Sequence, residues 1–171
     1  EKEDGSGPVT EADLAVNDML YMFLRNARPD YGWLSEETED DHARLEKRHC
    51  FVIDPIDGTR SFINGEKTWA HSFAITTDGV PTAAVVHLPA LDHLFAAELG
   101  QRATMDRQPL AVSPQDSLNG ARVLAARVAQ MPKFWKNSQV PNFNRDHRPS
   151  LAYRLVLVAQ GQFDAMITFR D

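Results

Sequence analysis

Asp54-Pro55-Ile56-Asp57-Gly58-Thr59-Arg60-Ser61-Phe62 is the stretch on which the fold turns. It follows Cys50-Phe51-Val52-Ile53, an apolar run that reads as a buried strand ending where the motif begins. Pro55 fixes its own φ and biases Asp54 towards an extended conformation, so the chain leaves the strand in one direction. Asp57-Gly58 is a turn signal, and Thr59 is placed to open a short helix through Ser61 and Phe62. Two carboxylates at a strand end suit a divalent cation, and the glycine beside them lets backbone N–H groups face a phosphate. The plain alternative is an Asx-type turn, because Asp-Pro and Asp-Gly are common turn dipeptides. The rest of the chain decides between them.

Upstream, residues 1–8 are polar and glycine-rich and read as a loop. Thr10-Glu11-Ala12-Asp13 has the form of a capping box. Leu14, Val16, Met19, Leu20, Phe23, Leu24 and Ala27 then recur at helical spacing, which predicts a helix over 11–26, stopped by Pro29-Asp30. Residues 31–35 read as a strand that empties into the acidic run 36–41. Downstream, 72–76, a turn at Asp78-Gly79, 82–88 and 93–98 predict a β-meander. Further strand signals lie at 110–112, 123–126 and 163–169, and 150–160 reads as a helix closed by Gly161. Residues 99–105 read awkwardly, as two pieces of loop joined. With the stop just after a strand of β-α-β type, this predicts that a longer protein lies behind the sequence.

The acidic residues at element ends are Asp13, Glu36, Asp54 and Asp57. From local sequence alone, Asp13 is better explained as a partner in the helix cap, and Glu39, Asp40 and Asp41 as a solvated charge run. Glu36 differs because it directly follows Trp33-Leu34-Ser35. If the two strands are neighbours, Glu36 and Asp54 meet at one sheet edge, and three hard oxygen ligands there suit Mg²⁺. The histidines His42, His49, His71, His87, His93 and His147 are scattered without metal-ligand spacing and read as ordinary polar residues. Cys50 reads as a core thiol, and no Walker loop or G-x-S-x-G is present.

The 171 residues suffice for one sizeable core, or for one domain and part of a second. A net charge of −6 without a Lys/Arg run argues against a nucleic-acid polymer as partner. A single cysteine allows no internal disulfide, which fits a cytoplasmic location. No apolar run approaches membrane-spanning length, and the acidic start does not read as a signal peptide.

Three segments in order carry a resemblance: Val9-Thr10-Glu11-Ala12-Asp13, Leu34-Ser35-Glu36-Glu37 and the opening nonapeptide. They resemble the motifs of the inositol monophosphatase superfamily, Mg²⁺-dependent and often lithium-sensitive phosphomonoesterases. The hairpin at Asp78-Gly79, the run Val85-Val86-His87-Leu88-Pro89-Ala90, and Ser150 through Gly161 with Asp164-Ala165 extend the likeness over nearly the whole chain. The resemblance implies a layered α-β-α-β-α sandwich of α+β and α/β character. It divides the chain into an N-terminal α+β metal- and phosphate-binding region, 1–112, and the start of a C-terminal α/β region, 113–171.

The resemblance also implies roles. Glu36 and Asp54, with the Ile56 carbonyl, would hold one Mg²⁺, Asp54 and Asp57 a second, and Glu36 with Glu37 a weaker third. Thr59, held by Asp13, would activate water, and Glu37 is counted with these two as catalytic. The N–H groups of Gly58 and Thr59 would bind the substrate phosphate, and Ser150 would contact the substrate. A homodimer acting on a small phosphomonoester is implied. The family's late Trp-Asp motif, whose Asp is a metal ligand, does not occur before the chain stops. Thr168 stands where inositol-specific members place a Glu. Arg60 and the run 150–162 lean towards bisphosphate nucleotidases, while Arg60-Ser61-Phe62-Ile63 also fits histidinol-phosphate phosphatases. A non-catalytic regulatory protein on the same fold is the reading from another class.

Overall fold

The computed structural model describes residues 7–40 and 42–169. Helix α1, Glu11–Ala27, starts at an extended Thr10 that caps it. The box is complete: Asp13 N–H donates to Thr10 Oγ1, and Thr10 N–H donates to Asp13 Oδ2. Only part of the apolar stripe read as its core face is turned inward: Val16, Leu20 and Leu24 are half-buried, while Leu14, Met19 and Phe23 are exposed. Asp13 and Asn17 are buried, while Met22 and Phe23 are 62% and 75% exposed. The reason is local, because Asn17 Oδ1 accepts from the buried Ser35 hydroxyl at 2.7 Å and fixes which side faces the sheet.

That sheet has seven strands in sequence order: β1 Gly32–Ser35, β2 His49–Asp57, β3 Ala70–Thr77, β4 Val80–Leu88, β5 His93–Glu98, β6 Thr104–Met105 and β7 Gln108–Pro109. Only β1 and β2 run parallel, with Ser35 opposite Ile53. The meander turns at Asp78 and Gly79, both with positive φ as a two-residue hairpin turn demands. Residues 99–105 are no awkward join: 99–103 connect β5 to β6 with a turn at Gly100, and Thr104 and Met105 pair with Ala96 and Phe95.

One departure from the expected strands matters most. β2 does not stop at Ile53 but runs on to Asp57. Its ladder with β3 pairs Asp54 with Ser72 and resumes at Asp57 with Ala70. Pro55 and Ile56 thus face His71 alone, a bulge of two residues against one. Proline, which has no N–H to give a ladder, is tolerated at such a place.

Beyond the sheet, the expected strand over 110–112 is irregular, and β8 Arg122–Ala125, β9 Asn144–Asp146 and β10 Ala165–Ile167 form a parallel sheet in the order β10-β8-β9. Helix α2, Thr59–Ile63, follows the nonapeptide turn, and α3, Leu151–Ala159, joins β9 to β10. Ala152 and Val156 of α3 bury against Ala70, Leu88 and Phe95 of the large sheet. A second core gathers Val123, Ala125, Ala129 and Phe143. The order α1, seven-stranded sheet, α3, three-stranded sheet gives four layers of the α-β-α-β-α sandwich. Of the expected loop over 1–8, all but Gly7 and Pro8 lies outside the described residues, as does Asp41 of the acidic run.

Candidate active site

The carboxyl end of β1 lies beside Ile53 of β2, and the Glu36 N–H donates to the Ile53 carbonyl at 3.2 Å. Glu36 and Asp54 therefore stand next to each other across two strands, as expected. They line one cleft of about 820 Å³ together with Ile56, Asp57, Gly58, Thr59, Arg60 and His147. Among the described residues, no three His, Cys, Asp or Glu side chains are gathered closely enough to hold a metal as they stand. Like charges repel at short range, and a divalent cation bound between such carboxylates would offset that repulsion. The donor set is all oxygen, which fits a hard divalent ion such as Mg²⁺.

Asp57 is held from the far side of the molecule. Its Oδ2 accepts from Ser150 Oγ at 2.6 Å and from the Ala152 N–H at the start of α3. Ser150 is 0% exposed and its hydroxyl also caps α3 by accepting from Tyr153 N–H at 2.9 Å. Ser150, expected to contact the substrate, is enclosed in this structure and reaches the cleft through Asp57. The same serine explains Gly58. Gly58 has φ +92°, and a Cβ there would lie 3.1 Å from Ser150 Cβ and 3.3 Å from the Thr68 carbonyl oxygen.

Thr59 begins α2, and its one hydroxyl proton is shared between the Ile56 carbonyl at 3.1 Å and Asp13 Oδ1 at 3.3 Å. Asp13 is 1% exposed. Asp13 has two partners at once, since Oδ2 serves the cap of α1 and Oδ1 faces Thr59. Glu37 is not among the residues that line the cleft; its N–H turns back to Ser35 Oγ at 3.3 Å. The α2 turn is steadied by the buried Ser61, which donates to Glu66 and holds that carboxyl below its usual range.

Three residues read as ordinary polar groups, or only as a branch marker, belong to this neighbourhood. Arg60 and His147 line the cleft. Burial lowers the His147 pKa, and the guanidinium groups of Arg154, Arg145 and Arg148 lower it further. His71 bonds the Pro55 carbonyl through Nδ1. Metal-ligand spacing was the wrong signal for these histidines. The pairing of Ser72 with Asp54 would have pointed to His71, but a sequence does not display a bulge.

The profile of the inositol monophosphatase family matches residues 1–171. An inositol-1-monophosphatase of Mesorhizobium japonicum is 35% identical over 105 residues, covering 61% of this chain and 39% of that protein. A histidinol-phosphatase of Chlorobaculum parvum is 39% identical over 106 residues, covering 62% of this chain and 40% of its own. The structure of the Thermotoga maritima IMPase superposes with a TM-score of 0.84 at 28% identity, over 100% of this chain and 66% of that one. The chain thus spans about two fifths of the length of the curated relatives it matches.

Proposed function

Because this chain belongs to the inositol monophosphatase family, we propose that the protein it represents is a Mg²⁺-dependent phosphomonoesterase acting on a small phosphorylated metabolite such as inositol 1-phosphate. The observation that carries the reading is the single cleft that holds Glu36, Asp54, Asp57, the Ile56 carbonyl and the start of α2. Glu36, Asp54 and Ile56 would hold one cation, and Asp54 and Asp57 a second, with residues 1–112 supplying this half of the site. Bound there, the cations would supply charge neutralisation on the phosphoryl oxygens and acidify water.

The chain's own groups do the positioning, which is most of what phosphoryl transfer demands. The one Thr59 hydroxyl proton is shared between the Ile56 carbonyl and Asp13 Oδ1; turned to Asp13, it would leave the Thr59 oxygen lone pairs to accept from the attacking water. Asp13 Oδ2 is already engaged by Thr10, so Oδ1 is the carboxylate oxygen that would hold the proton. The first amides of α2, at Gly58 and Thr59, precede any intrahelical acceptor and would receive the phosphate oxygens. Ser150 and Ala152 fix Asp57 from behind.

A second substrate reading rests on charge. Arg60 and His147 on the cleft wall, with Arg145, Arg148 and Arg154 around His147, favour a substrate with a second anionic group, such as a 3′(2′),5′-bisphosphate nucleotide. Histidinol phosphate is a further choice, after the name of the Chlorobaculum parvum relative. We infer further that the whole protein is a cytoplasmic homodimer, a state that light scattering of the full-length protein tests.

The deciding experiment is phosphate release by the full-length protein with and without Mg²⁺. The panel is inositol 1-phosphate, 3′-phosphoadenosine 5′-phosphate and histidinol phosphate, with lithium as inhibitor. Metal-dependent release from one of them supports the reading and selects the substrate. Metal binding without release from any would support a regulatory protein on this fold instead.

A further inference from the structure

We propose that His71 is a positioning residue for the metal-binding turn: its ring N–H replaces the strand partner that the β2 bulge removes and so sets the aim of Ile56 and Asp57. The inference rests on the reading of Asp54, Ile56 and Asp57 as metal ligands given above.

Pro55 and Ile56 oppose His71 in the β2–β3 ladder, with regular pairing on both sides at Asp54–Ser72 and Asp57–Ala70. The extra residue leaves the ladder locally broken. His71 Nδ1 is bonded to the Pro55 carbonyl. A carbonyl only accepts, so Nδ1 carries the proton and the tautomer is fixed. Burial lowers the ring pKa and outweighs the bond to the Pro55 carbonyl, which raises it, so the neutral ring with its one N–H is favoured.

The ring cannot easily turn away. Phe73 stacks on it at 6.0 Å, Trp69 meets it edge-on at 5.3 Å, and His87 lies 5.8 Å off, directly opposite on β4. Trp69 in turn packs edge-on against Phe62 of α2 at 5.1 Å. One aromatic row therefore ties the bulge, the phosphate-side helix and the sheet together.

The Pro55–Ile56 peptide is planar, so holding the Pro55 oxygen also holds the plane from which Ile56 departs. The Ile56 carbonyl and the Asp57 carboxylate follow immediately. A ring that merely filled the bulge would need no donor; this one spends its only proton on the turn between the two ligands.

The test compares His71→Val, which removes the donor, with His71→Asn, whose amide N–H can take the place of Nδ1. Full-length proteins are used, and His71→Phe, which keeps the stack without the donor, replaces the valine variant if that does not fold. Mg²⁺ binding is measured by calorimetry without substrate, beside the Mg²⁺ dependence and KM of phosphate release. Loss of the donor is expected to weaken Mg²⁺ binding roughly 10–100-fold, as loss of an outer partner of metal ligands does. KM at saturating Mg²⁺ should stay near wild type, and His71→Asn should restore most of the affinity. Wild-type affinity in the donorless variant would overturn this inference alone. A wild type that binds no Mg²⁺ would overturn it together with the reading on which it rests.

Discussion

Asp54 and Asp57 stand three residues apart, yet the structure supports them from different places. Asp54 belongs to the parallel edge it shares with Glu36, whereas Asp57 is held by Ser150 and Ala152. Asp54→Asn should leave the melting temperature within a few degrees of wild type and abolish Mg²⁺-dependent phosphate release; residual release above about one per cent would count against its role as ligand. Ser150→Ala should do two things at once. Losing the α3 cap costs roughly 1 kcal/mol of stability. Losing the hydroxyl that aims Asp57 should weaken Mg²⁺ activation about tenfold or more. Denaturant melts and Mg²⁺ titrations separate the two effects. Gly58→Ala meets both a left-handed backbone, at roughly 1–2 kcal/mol for an L residue, and the close Ser150 Cβ. It should therefore be destabilised and inactive together, and a variant with wild-type stability would show that the turn can relax.

At the scale of elements, the cap of α1 doubles as the anchor of the site. Thr10 fixes Asp13, and Asp13 fixes Thr59, so Thr10→Ala should cost about 1 kcal/mol in a melt and also lower kcat, while Thr10→Ser should rescue both. A loss of stability with kcat intact would separate the cap from any role of the Asp13–Thr59 pair in turnover. Much of this was legible in the sequence. Thr10 to Asp13 announced the helix start, and Val52-Ile53 with the alternation after Ser72 announced β2 to β5. Glu36 and Asp54 were paired on the strength of two strand ends. The bulge escaped because Pro55 reads as a stop, whereas tertiary pairing at Asp57–Ala70 carries the strand past it. The buried face of α1 was legible only in part, because polar Asp13 and Asn17 face the sheet, where periodicity expects apolar groups. The Ser150–Asp57 bond escaped because spacing does not reveal which hydroxyl a distant carboxylate meets.

Across the whole molecule, the half-buried His71 and the more exposed His147 both contribute to the loss of stability on mild acidification. Burial lowers the pKa of His71, and of His147 with help from three arginines. As pH falls below about 6.5, the ordinary histidine value, the unfolded chain takes up those protons first. Their stabilisation is complete above that value and is lost as pH falls towards their lowered folded values. The urea midpoint should drop between pH 7.5 and pH 5.5, and less so in His71→Asn; an unchanged midpoint would contradict the burial argument. The seven strands of the large sheet pair almost entirely with their neighbours in sequence, which makes that sheet quick to assemble. The Asp57–Ser150 bond, in contrast, joins residues 93 apart. Closing a loop of that length carries an entropic cost that only docking of α3 repays. Refolding should therefore show two clocks, with Trp33 and Trp69 reporting an early sheet while enzymatic competence returns later, when the second lobe seats the Asp57 carboxylate.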